Sequence, residues 1–221
     1  MIYTAAKIAY KQYDDDEIIG KINEGDHPLY EIIVRRYNPY LYKIGRSYGF
    51  NHQDTEDLMQ NTYLNAFYNL QKFQFKATFK TWMTRIMLNQ CYQGKQRHDS
   101  RNNTITASTP DNVPEYVAGE EGRTVEHKFI SKELGQIIES AIHQLPENSR
   151  MVFTLRELNQ HSVAETADIL GISENNVKVR LNRAKALIKE ILQAQYAPDY
   201  IFEFNEVYCN AMVKRVLEKI L

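Results

Sequence analysis

The chain has 221 residues, 43% of them hydrophobic and 25% charged, which suits one large or two small soluble domains, each with its own core. Its formal net charge is -1, so bulk charge gives it no hold on nucleic acid, and any such partner must meet a local basic surface. Nine Gly and six Pro favour helices over a turn-rich β fold, and the two cysteines, Cys91 and Cys209, form neither a disulfide framework nor a zinc site and fit a reducing cytoplasm.

In chain order, Met1 to Tyr13 has no long apolar core and no small-residue cleavage site, so a cytoplasmic protein without a signal peptide is expected. No apolar run is long enough to cross a bilayer, so no membrane insertion is expected. Asp15 to Asn23 reads as a short helix ended by Gly25-Asp26-His27-Pro28. A longer helix follows from Leu29 to Tyr48, with Ile33, Tyr37, Tyr40, Leu41 and Ile44 at three- and four-residue steps and Gly49 as its C-cap. The next helix starts near Asp54. Asp54, Glu56 and Asp57 sit where the positive end of its dipole favours carboxylates. Met59, Tyr63, Ala66, Phe67 and Leu70 form its buried stripe, and Asp57, Gln60, Asn61 and Asn65 fall mostly on the other side. The stretch Phe73 to Lys80 breaks the pattern, and helix resumes from Thr81 to about Arg97.

Ser100 to Val125 is rich in Ser, Thr, Asn, Pro and acids and reads as a linker. Helical patterns return at Phe129–Gln144, Pro146–Leu158, Ser162–Leu170 and Ser173–Leu192. Beyond Ala197-Pro198-Asp199, a last amphipathic segment runs from Asn205 to Ile220, where Tyr208, Met212, Leu217, Ile220 and Leu221 make an apolar face. That tail is expected to fold back as a helix on one of the domains, most readily the adjacent one.

Ser162 to Leu181 has the geometry of a helix-turn-helix. Ala167 is small where two helices must cross, Gly171 can adopt the left-handed conformation of a sharp turn, and Ser173 can cap the second helix. Val163, Leu170, Ile172, Val177 and Leu181 supply a small shared core. The second helix then turns Ser173, Glu174, Asn175, Asn176, Lys178, Val179, Asn182 and Arg183 outward, as a helix lying in a DNA major groove requires. The basic residues Lys178, Arg180, Arg183, Lys185 and Lys189 concentrate here, so the near-neutral net charge conceals segregation.

Leu145 to Leu158, continued through Val177 to Lys185, resembles region 4 of extracytoplasmic-function (ECF) sigma factors, members of the sigma-70 family. Asp54 to Phe67, then Phe73 and Thr78 to Ile86, resembles region 2 of the same family. The resemblance implies an all-α protein of two helical domains joined by a flexible linker, plus a C-terminal amphipathic helix. The expected division is residues 1–99 for region 2, 100–128 for the acidic linker, 129–194 for region 4 and 195–221 for the tail helix. It implies a promoter-specificity subunit that is not itself an enzyme, with core RNA polymerase and promoter DNA as partners and an anti-sigma factor as a further candidate. No cofactor, metal site or small-molecule substrate is expected. The upstream (−35) element falls to Ser173, Asn175, Asn176, Lys178, Val179, Asn182 and Arg183. A flipped base of the downstream (−10) element falls to the loop and helix carrying Phe73, Lys76, Phe79, Lys80, Trp82, Arg85 and Asn89. By the same resemblance Asp57, Gln60 and Asn61 are expected to dock on a coiled coil of the polymerase's largest subunit, and in relatives the linker threads toward the polymerase active site. The chain departs from the family pattern at Thr166, usually a larger aliphatic residue, at Val179, often Ser, at Asn175-Asn176, often Gly-Thr, and at Asn61, usually Glu.

The physical logic of the downstream half stands beside the resemblance. Taking a base out of the stack costs about a few kcal/mol, and stacking it on an aromatic returns roughly 1–3 kcal/mol. Phe73, Phe75, Phe79 and Trp82, interleaved with Lys72, Lys76 and Lys80, offer the aromatics and the charge, although the same aromatics also suit a core. Two other readings compete. A helix-turn-helix regulator with an N-terminal sensor or dimerisation domain would share the C-terminal half but has no need of the Lys72–Asn89 segment. An enzyme finds no phosphate loop or nucleophile elbow, and His27, His52, His98, His127, His143 and His161 have no carboxylate or thiol at metal-ligand spacing.

Overall fold

The computed structural model describes residues 13–102 and 125–195, together with 212, 214, 215 and 217. Eight α-helices and no strand occur among the described residues, so the chain is all-α as expected. Helix α1 (Asp15–Asn23) opens on a reciprocal cap in which the Asp14 carboxylate accepts the Glu17 N–H at 2.8 Å and Glu17 reaches back to the Asp14 N–H. It buries Ile18, Ile19 and Ile22. Gly25, at φ +110°, turns the chain out of it, and Pro28 sits in a short 3₁₀ turn, His27–Leu29.

Helix α2 (Tyr30–Ser47) buries Ile32, Ile33, Tyr37, Leu41 and Ile44, a stripe at helical spacing. Asn51 caps α3 (His52–Tyr68) by accepting the Asp54 N–H at 2.7 Å. After a 3₁₀ turn (Leu70–Lys72), α4 (Phe79–Asn102) packs Met83, Met87 and Cys91 between α2 and α3. These four helices form one bundle. Its large fully buried side chains are each worth about 1.5–3 kcal/mol.

The C-terminal unit comprises α5 (Val125–His143), α6 (Glu147–Phe153), α7 (Val163–Leu170) and α8 (Glu174–Gln195). Helix α6 runs into one π-type turn, Thr154–Leu158, closed by the Asn159 N–H on the Thr154 carbonyl at 2.9 Å. Observed ends differ from the expected ones. Helix α4 reaches Asn102 and α5 opens at Val125, so helix extends into both ends of the segment read as linker. Residues 103–124, which hold the rest of that segment, lie outside the described residues, as does most of the tail. Of the tail's expected apolar face, Met212 and Leu217 are helical and exposed at 45% and 44%, and Tyr208, Ile220 and Leu221 lie outside the described residues.

The two units are not independent bodies. Met151 and Leu155 of the C-terminal unit are buried in the same apolar cluster as the α1–α4 bundle, with Ile169 and Leu170 packed against it. A second, smaller core of Val152, Ala167, Val177 and Leu181 holds α6, α7 and α8 together.

Candidate nucleic-acid interface

The residues expected to read the upstream element sit on α8 and the turn before it. Ser162 and Glu165 cap α7 reciprocally, the Ser162 hydroxyl accepting the Glu165 N–H at 3.0 Å and Glu165 accepting the Ser162 N–H at 2.8 Å. Gly171 ends α7 at φ 63°, ψ 36°, the left-handed conformation expected of it. The Ser173 hydroxyl then accepts the Asn176 N–H at 3.2 Å, which starts α8. Val177, Leu181 and Ala184 face inward, so Ser173, Asn175, Asn176, Lys178, Val179, Asn182 and Arg183 all stand exposed on the opposite side. Val179 is 57% exposed, a large apolar side chain presented to solvent in the middle of a polar face. Lys185 is tied by Glu157 at 3.0 Å, beside this surface.

The aromatic loop divides differently. Phe73 and Phe79 are buried, at 7% and 2% exposure, and stack on half-buried Trp82 with centroids 5.2 and 5.5 Å away. Tyr37 closes on Phe79 from α2 at 5.5 Å. Phe75 projects from the loop, 53% exposed, on a backbone at φ 55° that side chains other than glycine seldom adopt. Lys76 and Asn89 are exposed. Of the residues assigned to the downstream element, Phe73 and Phe79 therefore form the floor of the face, and Lys76, Trp82 and Asn89 are open to a ligand.

Lys80 and Arg85 are engaged by the C-terminal unit. Lys80 donates to the Asn159 carbonyl, with its ammonium 4.5 Å from the centre of the Tyr40 ring, and Arg85 pairs with Asp168. Burial lowers the Lys80 pKa from the usual lysine range. Between these two, the Thr81 hydroxyl donates to Glu165 at 3.0 Å and the Thr84 hydroxyl meets His161 Nε2 at 3.1 Å. Burial pushes the Glu165 carboxyl up, but the bonds from Ser162 and Thr81 outweigh it and bring its pKa down to about 2. Burial, helped by the Lys80 and Arg156 charges, lowers His161 to about 4, so its imidazole is neutral at pH 7.

The same contact continues along α2. Ser47 and Thr154 share a buried hydroxyl–hydroxyl bond of 2.7 Å, Lys43 donates to the Leu158 carbonyl at 3.2 Å, and Asn159 Nδ2 donates to the Tyr40 carbonyl at 3.2 Å. Arg46 pairs with Glu139 at 2.9 Å, and Lys95 pairs with Glu147. Hydrogen bonding from His143, then from Arg46, brings Glu139 down to about 2 against the opposing effect of burial. None of the α2 donors was singled out by the sequence. On the facing side, the Ser162-x-x-Glu165 spacing of a capping box is the local signal that could have marked Glu165.

On the far side of the bundle, Asp57, Gln60 and Asn61 are all exposed on α3. Beside them lies an open apolar groove of about 600 Å³, lined by His27, Tyr30, Met59, Gln60, Leu64 and Phe67 among others. Among the described residues no group of three or more His, Cys, Asp or Glu converges to hold a metal ion, and no helix is long and apolar enough to cross a membrane.

Residues 33–101 match the family model described as Sigma-70 region 2, and residues 135–188 match that described as Sigma-70, region 4. The chain is similar to the ECF RNA polymerase sigma-E factor of Escherichia coli (strain K12), 29% identical over 185 residues that span 83% of this chain and 96% of that one. It is 27% identical over 185 residues to the protein of the same name from Haemophilus influenzae, covering 83% of this chain and 97% of the relative. Among solved structures, CnrH in complex with the cytosolic domain of CnrY has a TM-score of 0.59 at 24% identity, covering 82% of this chain and 99% of that one. The sigma factor RpoE in complex with the anti-sigma factor NepR from Bartonella quintana has a TM-score of 0.59 at 20% identity, covering 76% of this chain and 98% of that one. These two likenesses are of fold.

Proposed function

The chain belongs to the sigma-70 family as a sigma factor of the extracytoplasmic-function type, and from that premise we propose which of its surfaces perform the parts of initiation. It directs core RNA polymerase to particular promoters and leaves phosphodiester chemistry to the polymerase, acting in the cytoplasm where the genome is. The observation that carries the residue assignment is the exposed polar face of α8, positioned by a cap at Ser173 and a left-handed turn at Gly171. Arg183 and Lys178 bond phosphates or guanine edges, Asn175, Asn176 and Asn182 suit adenine edges or backbone, and Val179 suits a thymine methyl. Lys76, Trp82, Asn89 and, once released, Lys80 and Arg85 hold the unpaired downstream strand over the floor formed by Phe73 and Phe79. Asp57, Gln60 and Asn61 present the polymerase-docking face of α3. A further partner class is an anti-sigma protein, since two similar folds were solved in such complexes or with a cytosolic partner domain.

The test is reconstitution with core polymerase on genomic DNA, with sequencing of transcript 5′ ends. Specific start sites that need this chain are expected. On one such promoter, Lys178→Ala or Arg183→Ala should weaken duplex binding and reduce the log–log salt slope by about 0.9 for each phosphate no longer neutralised. Arg85→Ala or Asn89→Ala should spare upstream binding and impair opening. Equal defects of both sets on a pre-melted template would sink the division of labour, and absence of specific starts would sink the function.

A further inference from the structure

An apolar groove and an apolar stretch of helix both lie open to solvent among the described residues. The groove runs between α2 and α3 and holds about 600 Å³. Tyr30 and Phe67 line it and meet edge to face, ring centroids 5.0 Å apart. Leu64 stands at its lip, 48% exposed, one turn before Tyr68 at 77%. The open stretch of helix belongs to the tail, where Met212 and Leu217 are helical and exposed. The sequence adds Tyr208, Ile220 and Leu221 to that apolar set. Open apolar area of this kind marks a binding surface, and an amphipathic helix laid in a groove covers both partners at once.

Charge pairs this helix with this groove. Glu56 lines the groove, and Asp57 is exposed next to it on α3. From Ala211 to Leu221 the tail carries Lys214, Arg215 and Lys219 against Glu218 alone. Lys214 and Arg215 are helical with exposed side chains. Reach permits the meeting. Helix α8 ends at Gln195 in a unit that shares its core with the α1–α4 bundle. The chain from Gln195 to Met212 spans at most roughly 55 Å, against about 36 Å for the whole length of α4. A tethered segment also meets its groove at an effective concentration of order mM, so a weak intrinsic affinity suffices.

We propose that the C-terminal tail, residues 205–221, docks as a helix in the groove between α2 and α3 and there covers the face that Asp57, Gln60 and Asn61 present to core polymerase. The proposal rests on the sigma-factor reading of the chain. The structure shows the undocked arrangement, with Met212 and Leu217 outside the groove, so the two arrangements exchange. The tail is then a built-in competitor. Polymerase affinity falls in proportion to the share of chains whose groove is filled, and anything that takes hold of the tail restores it.

A photoreactive benzoylphenylalanine placed at Leu64 of the full-length chain reads the docking directly, with crosslinked peptides mapped by mass spectrometry. Crosslinks to residues 205–221 in protein of monomer mass are expected. Crosslinks to a second copy, or none to the tail, would overturn the docking. So would tail crosslinks obtained only when the photoreactive residue stands at Leu134 of α5, another exposed apolar position. Met212→Asp combined with Leu217→Asp changes two exposed positions. It is expected to abolish the Leu64 crosslink and to tighten binding to core polymerase severalfold at an unchanged melting temperature. A chain truncated after Gln195 should bind as tightly as that double variant. Unchanged or weaker polymerase binding by the folded double variant would overturn the masking. If parent and variants alike failed to bind core polymerase or to direct specific starts, the sigma-factor reading would fall and the masking with it, while the crosslink would still report whether the tail fills the groove.

Discussion

At Thr166 the chain places a hydroxyl where its relatives usually carry a larger aliphatic residue, and that hydroxyl is fully buried without a partner in the protein. Burying an unpaired donor costs roughly 1–3 kcal/mol, whereas an isosteric methyl costs nothing in hydrogen bonds. Thr166→Val should therefore stabilise the protein by about 1 kcal/mol, raising Tm by roughly 2–4 °C. An unchanged or lower Tm in calorimetry would mean that a bound water satisfies the hydroxyl. His161 carries a pH dependence of defined sign. Burial lowers its pKa to about 4, so the folded state holds the neutral ring and the unfolded state binds the extra proton. Its contribution is complete above about pH 6.5 and is lost as pH falls toward 4, on the order of 2 kcal/mol by pH 4.5. Glu139 and Glu165, both lowered to about 2, contribute above about pH 4.5 and lose their share only below it. Thermal melts should thus decline between pH 6.5 and 4.5, and His161→Asn should flatten that decline. A decline of the same size in the variant would assign it to another group.

Helix packing imposes its own demands. Helix α2 crosses α3 so closely at Gly45 that an added Cβ would lie 2.6 Å from Thr55 Cγ2 and 3.0 Å from Met87 Cε. The crowding atom is a β-branched side chain on a packed helix, which has little freedom to withdraw. Gly45→Ala gains about 1 kcal/mol of helix propensity but is expected to lose more to overpacking, typically about 1–3 kcal/mol. A denaturation midpoint at or above that of the parent would show that α2 and α3 can separate easily. The proposed recognition helix α8 depends on fewer residues: one left-handed glycine, one serine cap and three inward apolar side chains position its whole exposed polar face. Gly171→Ala should cost about 1 kcal/mol through its positive φ and weaken upstream DNA binding through misplacement of α8, with both effects seen in one protein.

At the scale of the whole molecule, the two units are joined by a shared apolar cluster and a polar rim. The rim pairs Arg46–Glu139, Arg85–Asp168 and Lys95–Glu147 are partly exposed, so each is worth little alone and all weaken with salt. Small-angle scattering of the free chain should show a compact form at low ionic strength that expands as salt rises; a radius of gyration independent of salt would leave the apolar seam of Met151 and Leu155 as the whole of the attraction. Much of this protein was legible in the order of its residues. The period of Ile33, Tyr37, Leu41 and Ile44, the turn at Gly171 and the cap at Ser173 are local instructions, read by backbone sterics and by water before any distant contact forms. Such instructions determined the helices and the outward face of α8. They could not determine that Phe73 and Phe79 would be floor while Trp82 stayed half open, because an aromatic is equally content in a core or on a base. Nor could they place Lys80 and Arg85 against Asn159 and Asp168, some 80 residues along the chain. That pairing arises only when separate helices bury a common apolar seam and so carry their polar rims together, which is a property of tertiary packing and of no segment by itself.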